Sequence, residues 1–125
     1  MLLPLETQTT DMKHYLISFP SSAMDHIRAE DFPSVSESAH AVIREAKAAG
    51  VYVFGGGIDE TVEPVKVSGE GSVVPGTYPE TSKFNGGFCV LKASTRQEAE
   101  KWAAKIAAGC RCAQELREFM FDPES

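Results

Sequence analysis

The sequence has no surplus of positive charge: 12 Lys and Arg stand against 18 Asp and Glu, a formal charge of −6 over 125 residues. Broad contact with nucleic-acid phosphates or anionic lipid needs clustered cations that displace counterions, so neither is expected as a partner. No apolar run reaches the roughly 18 residues of a helical membrane span, and "MLLPLETQTTD" lacks the basic start and long apolar centre of a secretory leader. Cysteine is scarce. Cys89, Cys110 and Cys112 are an odd number, and the C-x-C pair is too close for an easy unstrained disulfide, which points to a reducing, cytoplasmic setting. His14, His26 and His40 show no metal-ligand spacing with those cysteines, so neither metal nor cofactor is expected. Repeats of 20 to 50 residues, low-complexity tracts and internal linkers are all missing. The chain reads as an N-terminal extension or arm over residues 1–11 followed by one domain over residues 12–125.

What is present is a clear alternation of periods. "KHYLISF" (13–19) is rich in β-branched and aromatic residues and halted by Pro20, as suits a strand. A helix is expected next: Ser34 and Glu37 form an S-x-x-E capping box, Val35, Ala39, Val42, Ile43, Ala46 and Ala49 share a face, and Gly50 ends it. "VYVFGGGI" (51–58) is a second strand, with which "TVEPVKVS" (61–68) could pair. "FCVLKA" (88–93) is a further strand. Residues 94–108 form the second helix, capped by Thr95 and Glu98, striped by Ala99, Trp102, Ala103, Ile106 and Ala107, and stopped by Gly109. Trp102 is expected as a core anchor. "AQELREFMF" (113–121) closes as a strand before Asp122 and Pro123. The order β-α-β-β-α-β is the split-βαβ, ferredoxin-like α+β arrangement, with both helices on one face of an antiparallel sheet. The other face must also be covered, and a two-fold homodimer is the expected cover.

Between the middle strands lies "VVPGTYPETSKFNGGFCVL". It resembles the signature of the YCII-related family, an Asp-Gly-Pro-Phe-x-Glu-Thr-Lys loop leading to Gly-Gly-Phe at a strand start. Gly76, Glu80, Thr81, Gly86, Gly87 and Phe88 match, whereas Pro75, Thr77, Tyr78 and Ser82 depart from it. "EAEKWAAK" is similar to the family's second helix, and "QELREF" to its closing strand, with Arg117 kept and Glu118 in place of proline. The resemblance covers about residues 12 to 121 and implies a ferredoxin-like dimeric α/β barrel. One branch of the family pairs a helix His with an Asp as the proposed catalytic couple. The resemblance therefore implies His40 and Asp59, with Gly57 at the family glycine and Ile58 where the family has proline.

Each candidate residue carries two readings. His40, at the border of its apolar stripe, is an acid/base imidazole or a partly solvated helix residue. Tyr78, Glu80 and Lys83 supply an aromatic wall, an acceptor and a countercharge to a pocket, or Glu80 pairs with Arg117 to brace the loop. Arg117 is a cavity's anion anchor or a solvent-side residue. "GGGID" lacks the helix start and lysine of a phosphate loop, so a bulge or strand end is expected there. Cys89 is read as a small core hydrophobe. Taken together, these features describe a dimer binding a small polar or anionic molecule, with His40 and Asp59 for lyase- or isomerase-like proton transfer and Tyr78, Glu80 and Arg117 for substrate. The alternative is a non-catalytic, ligand-sensing or partner-binding accessory domain linked to transcription regulation.

Overall fold

The computed structural model describes residues 12–125; the expected arm over 1–11 lies outside the described residues. Strand β1 (Lys13–Phe19) has the expected span, and its alternation sets up both faces of the sheet. Tyr15 and Ile17 are buried in the core, which leaves His14, Leu16 and Ser18 on the opposite face.

Two 3₁₀ turns, Ser21–Met24 and Ala29–Asp31, lead into helix α1 (Phe32–Ala48). The capping box expected at Ser34 and Glu37 does not form. Pro33 occupies the first turn, where its missing N–H leaves no bond unmade, so the helix begins ahead of Ser34. Ser34 Oγ donates back to the Asp31 carbonyl at 3.0 Å, and Glu37 accepts from Arg44 at 2.9 Å. Gly50 ends the helix as expected, at φ +77° with its N–H on the Lys47 carbonyl.

Strand β2 (Tyr52–Gly57) shifts register between Tyr52 and Phe54, ahead of its glycines; Gly55, Gly56 and Gly57 pair regularly with β5 and the strand ends at them, so of the bulge or strand end expected there it is the end that forms. Residues 61–68 do not pair with it. Instead β3 (Val65–Val67) pairs with β4 (Val73–Pro75) in a separate two-stranded ribbon. Gly71, at φ +95°, turns the chain back within a few residues. The five-residue loop 68–72 is within the usual range of a β-hairpin connection.

Strand β5 (Gly87–Ala93) leads to helix α2 (Arg96–Cys110), whose N-cap Thr95 Oγ1 accepts from the Glu98 N–H at 3.1 Å as expected. The stop expected at Gly109 moves to Arg111, which takes the left-handed conformation at φ 59°. Gly109 lies inside the helix because α1 crosses there: a Cβ would sit 3.0 Å from the Ser38 carbonyl oxygen, and Ser38 Oγ donates to the Gly109 carbonyl at 2.7 Å. The last strand is shorter than expected, β6 spanning Glu115–Glu118.

The sheet order is β2-β5-β1-β6 with antiparallel neighbours throughout. This is the ferredoxin-like α+β fold, with the β3–β4 ribbon inserted between its second and third strands. Tyr15, Ile17, Cys89, Leu91, Ala99 and Ile106 form the core between sheet and helices. Trp102 packs only at its edge, half-buried, with the Lys105 ammonium 5.8 Å from its ring. Burying a side chain such as Leu91 stabilises the fold by about 2 kcal/mol. Leu16, Ser18, Phe88, Val90 and Arg117 face the other way, across the helix-free side.

Candidate functional site

The loop from Gly76 to Phe88 crosses that open side, and its sequence explains how. Gly76, at φ +103°, carries the chain off the ribbon with its N–H on the Pro64 carbonyl. Pro79–Thr81 then make a 3₁₀ turn, capped by the Ser82 N–H on the Pro79 carbonyl at 3.3 Å, and in the turn after it the Phe84 N–H donates to the Thr81 carbonyl at 3.0 Å. Phe84 lands on Phe88 of β5, ring centroids 4.9 Å apart. The far end is pinned by Asn85, whose Oδ1 accepts from the Ser21 N–H at 3.0 Å and whose Nδ2 donates to Glu60 at 3.0 Å. Glu60 also accepts from Ser21 Oγ at 2.8 Å. A Cβ on Gly86 would overlap the Phe19 carbonyl, and one on Gly87 would come 2.6 Å from the Phe19 ring. The Gly-Gly of the signature thus lets the loop close against the end of β1.

Beneath this loop is a cleft of about 200 Å³. Ser18 forms its floor, Glu80, Lys83 and Phe84 come from the loop, and Glu115 and Arg117 from β6. Ser18 is 2% exposed, and its hydroxyl has no hydrogen-bond partner among the described residues. Arg117 Nη1 donates to Glu115 Oε1 at 3.0 Å, both side chains more than half exposed. Such a pair contributes roughly 0–1 kcal/mol and exchanges readily for a ligand group. Among the described residues neither Glu80 nor Lys83 makes an ion pair.

Of the expected site residues, Glu80 and Arg117 come together at this cleft. They do not brace one another, since Arg117 pairs with Glu115, its same-face neighbour on β6. Tyr78 stays outside, 66% exposed with the Lys66 ammonium 5.3 Å over its ring, and so joins the loop to the ribbon. His40 is exposed on α1, its Nδ1 3.2 Å from Ser36 Oγ. Asp59 is exposed beyond β2 and accepts from the Thr61 hydroxyl at 2.6 Å and the Thr61 N–H at 3.0 Å, which together hold its carboxyl below the usual range. Among the described residues no hydrogen bond or ion pair joins His40 to Asp59, and neither borders the cleft.

A larger cavity of about 390 Å³ opens elsewhere on the same side, walled by His14, Val90, Phe119, Met120 and Asp122 among others. Sequence reading passed over His14, Ser18 and Glu115. The signal for the first two was the alternation of β1, which sends 14, 16 and 18 to one face once 15 and 17 are assigned to the core. Cys89 is a core residue, its thiol pushed up to about 11 by burial and by neighbouring Cys110. Among the described residues no helix is long and apolar enough to cross a membrane, and no three His, Cys, Asp or Glu side chains gather as a metal site would require.

A comparison with curated proteins finds no match. The family model of the YCII-related domain matches residues 22–119, from just after β1 to just past β6, and the chain belongs to the YCII-related family.

Proposed function

We propose that the protein is a small-molecule-binding homodimer that takes a small polar organic ligand between the 76–88 loop and the open sheet face. Ser18 carries this reading, because it lines the cleft and its buried hydroxyl makes no hydrogen bond among the described residues. An unmade hydrogen bond of that kind costs about 1–3 kcal/mol, so the cleft favours an occupant that supplies one. The dimer rests on Phe54, Met120 and Phe121, large apolar side chains left exposed, and on the sheet's lack of a second layer. A face-to-face two-fold pairing would cover them and enclose the cleft.

Binding without chemistry has more support than proton transfer by His40 and Asp59. Each of those two side chains is exposed and engaged with a local hydroxyl, Ser36 or Thr61. A ligand-sensing or accessory role, of the sort linked to transcription regulation, uses the same cleft with no reacting pair. The test is equilibrium dialysis of wild type, Ser18→Val and His40→Gln against pooled small polar metabolites, read by mass spectrometry. Wild type and His40→Gln are expected to retain one compound at least tenfold over Ser18→Val, with cooperative thermal unfolding at or above the wild-type midpoint showing all three folded. Equal retention by Ser18→Val sinks the cleft. Conversion of the compound by wild type but not by His40→Gln restores proton transfer.

A further inference from the structure

Charge at the cleft is balanced: Glu80 and Glu115 supply two carboxylates, Lys83 and Arg117 two cations. A simple anion gains attraction from one pair and meets repulsion from the other, and a simple cation fares the same way. A ligand carrying both charges meets each with its opposite. The loop contributes one group of each sign, Glu80 and Lys83, three residues apart across the 3₁₀ turn and both without an ion partner among the described residues. Strand β6 contributes the other two, already 3.0 Å apart. Hydrogen-bonding capacity points the same way. Ser18 Oγ can donate to a carboxylate or accept from an ammonium, so it serves whichever end of such a ligand reaches the floor. Size sets the upper limit: about 200 Å³ lies below the roughly 300–1,000 Å³ of pockets for drug-sized ligands, leaving room for a short chain with two charged ends.

We infer that the ligand is a small zwitterion, a short amino acid or an ω-amino carboxylate, held with its carboxylate toward Lys83 and Arg117 and its ammonium toward Glu80 and Glu115. This rests on the cleft being the binding site. Nothing covalent is involved, and the specificity lies in the two signs being presented together.

The experiment is titration calorimetry of the full chain with β-alanine and 4-aminobutyrate, and with propionate, butyrate, propylammonium and butylammonium as single-charge controls. A zwitterion is expected to bind at least tenfold tighter than either matched control. Lys83→Met is expected to remove that preference by favouring the amine, and Glu80→Gln by favouring the carboxylate; both positions are exposed, so the fold tolerates them. Equal affinity for butyrate and 4-aminobutyrate overturns the zwitterion and leaves the cleft standing. Absence of binding by all six, with a compound still retained in dialysis only when Ser18 is intact, does the same. Absence of both binding and retention overturns the two readings together.

Discussion

A serine on a strand otherwise filled with large side chains carries a cost that its neighbours do not share. Ser18 is as buried as Ile17, yet its hydroxyl has no partner. Removing it relieves about 1 kcal/mol of unmade hydrogen bonding, which for a domain of this size is about 4 °C in thermal midpoint. Calorimetry of ligand-free Ser18→Ala is therefore expected to show a higher midpoint than wild type; a lower one would mean the hydroxyl is already satisfied. The thiols give a second residue-scale prediction. Burial, with a nearby thiol adding, pushes Cys89 and Cys110 up to about 11, so the native state favours the neutral thiol. The stability linked to this is fully present below the unperturbed value of 9.0 and falls as pH rises from there toward about 11. Iodoacetamide at pH 8 is expected to alkylate both about a hundredfold more slowly in native than in unfolded protein, as peptide mass mapping would show.

Among the elements, the 76–88 loop does most to place the site, and two of its family residues are structural. Gly86 admits no Cβ beneath the Phe19 carbonyl, so Gly86→Ala must displace either the loop or the end of β1. A loss of about 1–3 kcal/mol in a urea titration is expected, the range for overpacking, together with weaker ligand binding. Much of this scale was legible in the sequence. The span of β1, the Thr95 cap and the Gly50 stop follow from local rules that no tertiary contact opposes. Where contacts intervened, the rules failed. Gly109 reads as a stop, but the helices cross at it, and no local signal separates a terminating glycine from one that makes room for a neighbour. Residues 61–68 read as a partner for β2 because alternation marks a strand without naming the strand it pairs with. Glu60 and Asn85, which anchor the loop, act across 39 and 64 residues and left no motif.

At the scale of the whole molecule, the ferredoxin-like class and the placing of both helices on one face were legible because two striped helices and a set of short antiparallel strands allow few packings. The cleft was legible only in part. Glu80 and Arg117 reach it, but Tyr78 turns to the ribbon, and Ser18 and Glu115 enter through strand register, which the chain order alone does not give. The open face with Phe54, Met120 and Phe121 argues for a second subunit. Light scattering on a sizing column is expected to give about 27 kDa, twice the 13.5 kDa chain, and Phe54→Glu to shift it toward monomer; a monomeric wild type would refute the pairing. The central claim is that the cleft over Ser18 is where a ligand sits, and amide NMR tests it most directly. The ¹⁵N-labelled protein would be titrated in turn with short carboxylates, amines and amino acids. The predicted result is saturable shifts concentrated at Ser18, Phe19, Glu80, Lys83, Phe84 and Arg117; shifts concentrated instead at His14, Val90 and Phe119, or none with any compound, would contradict it.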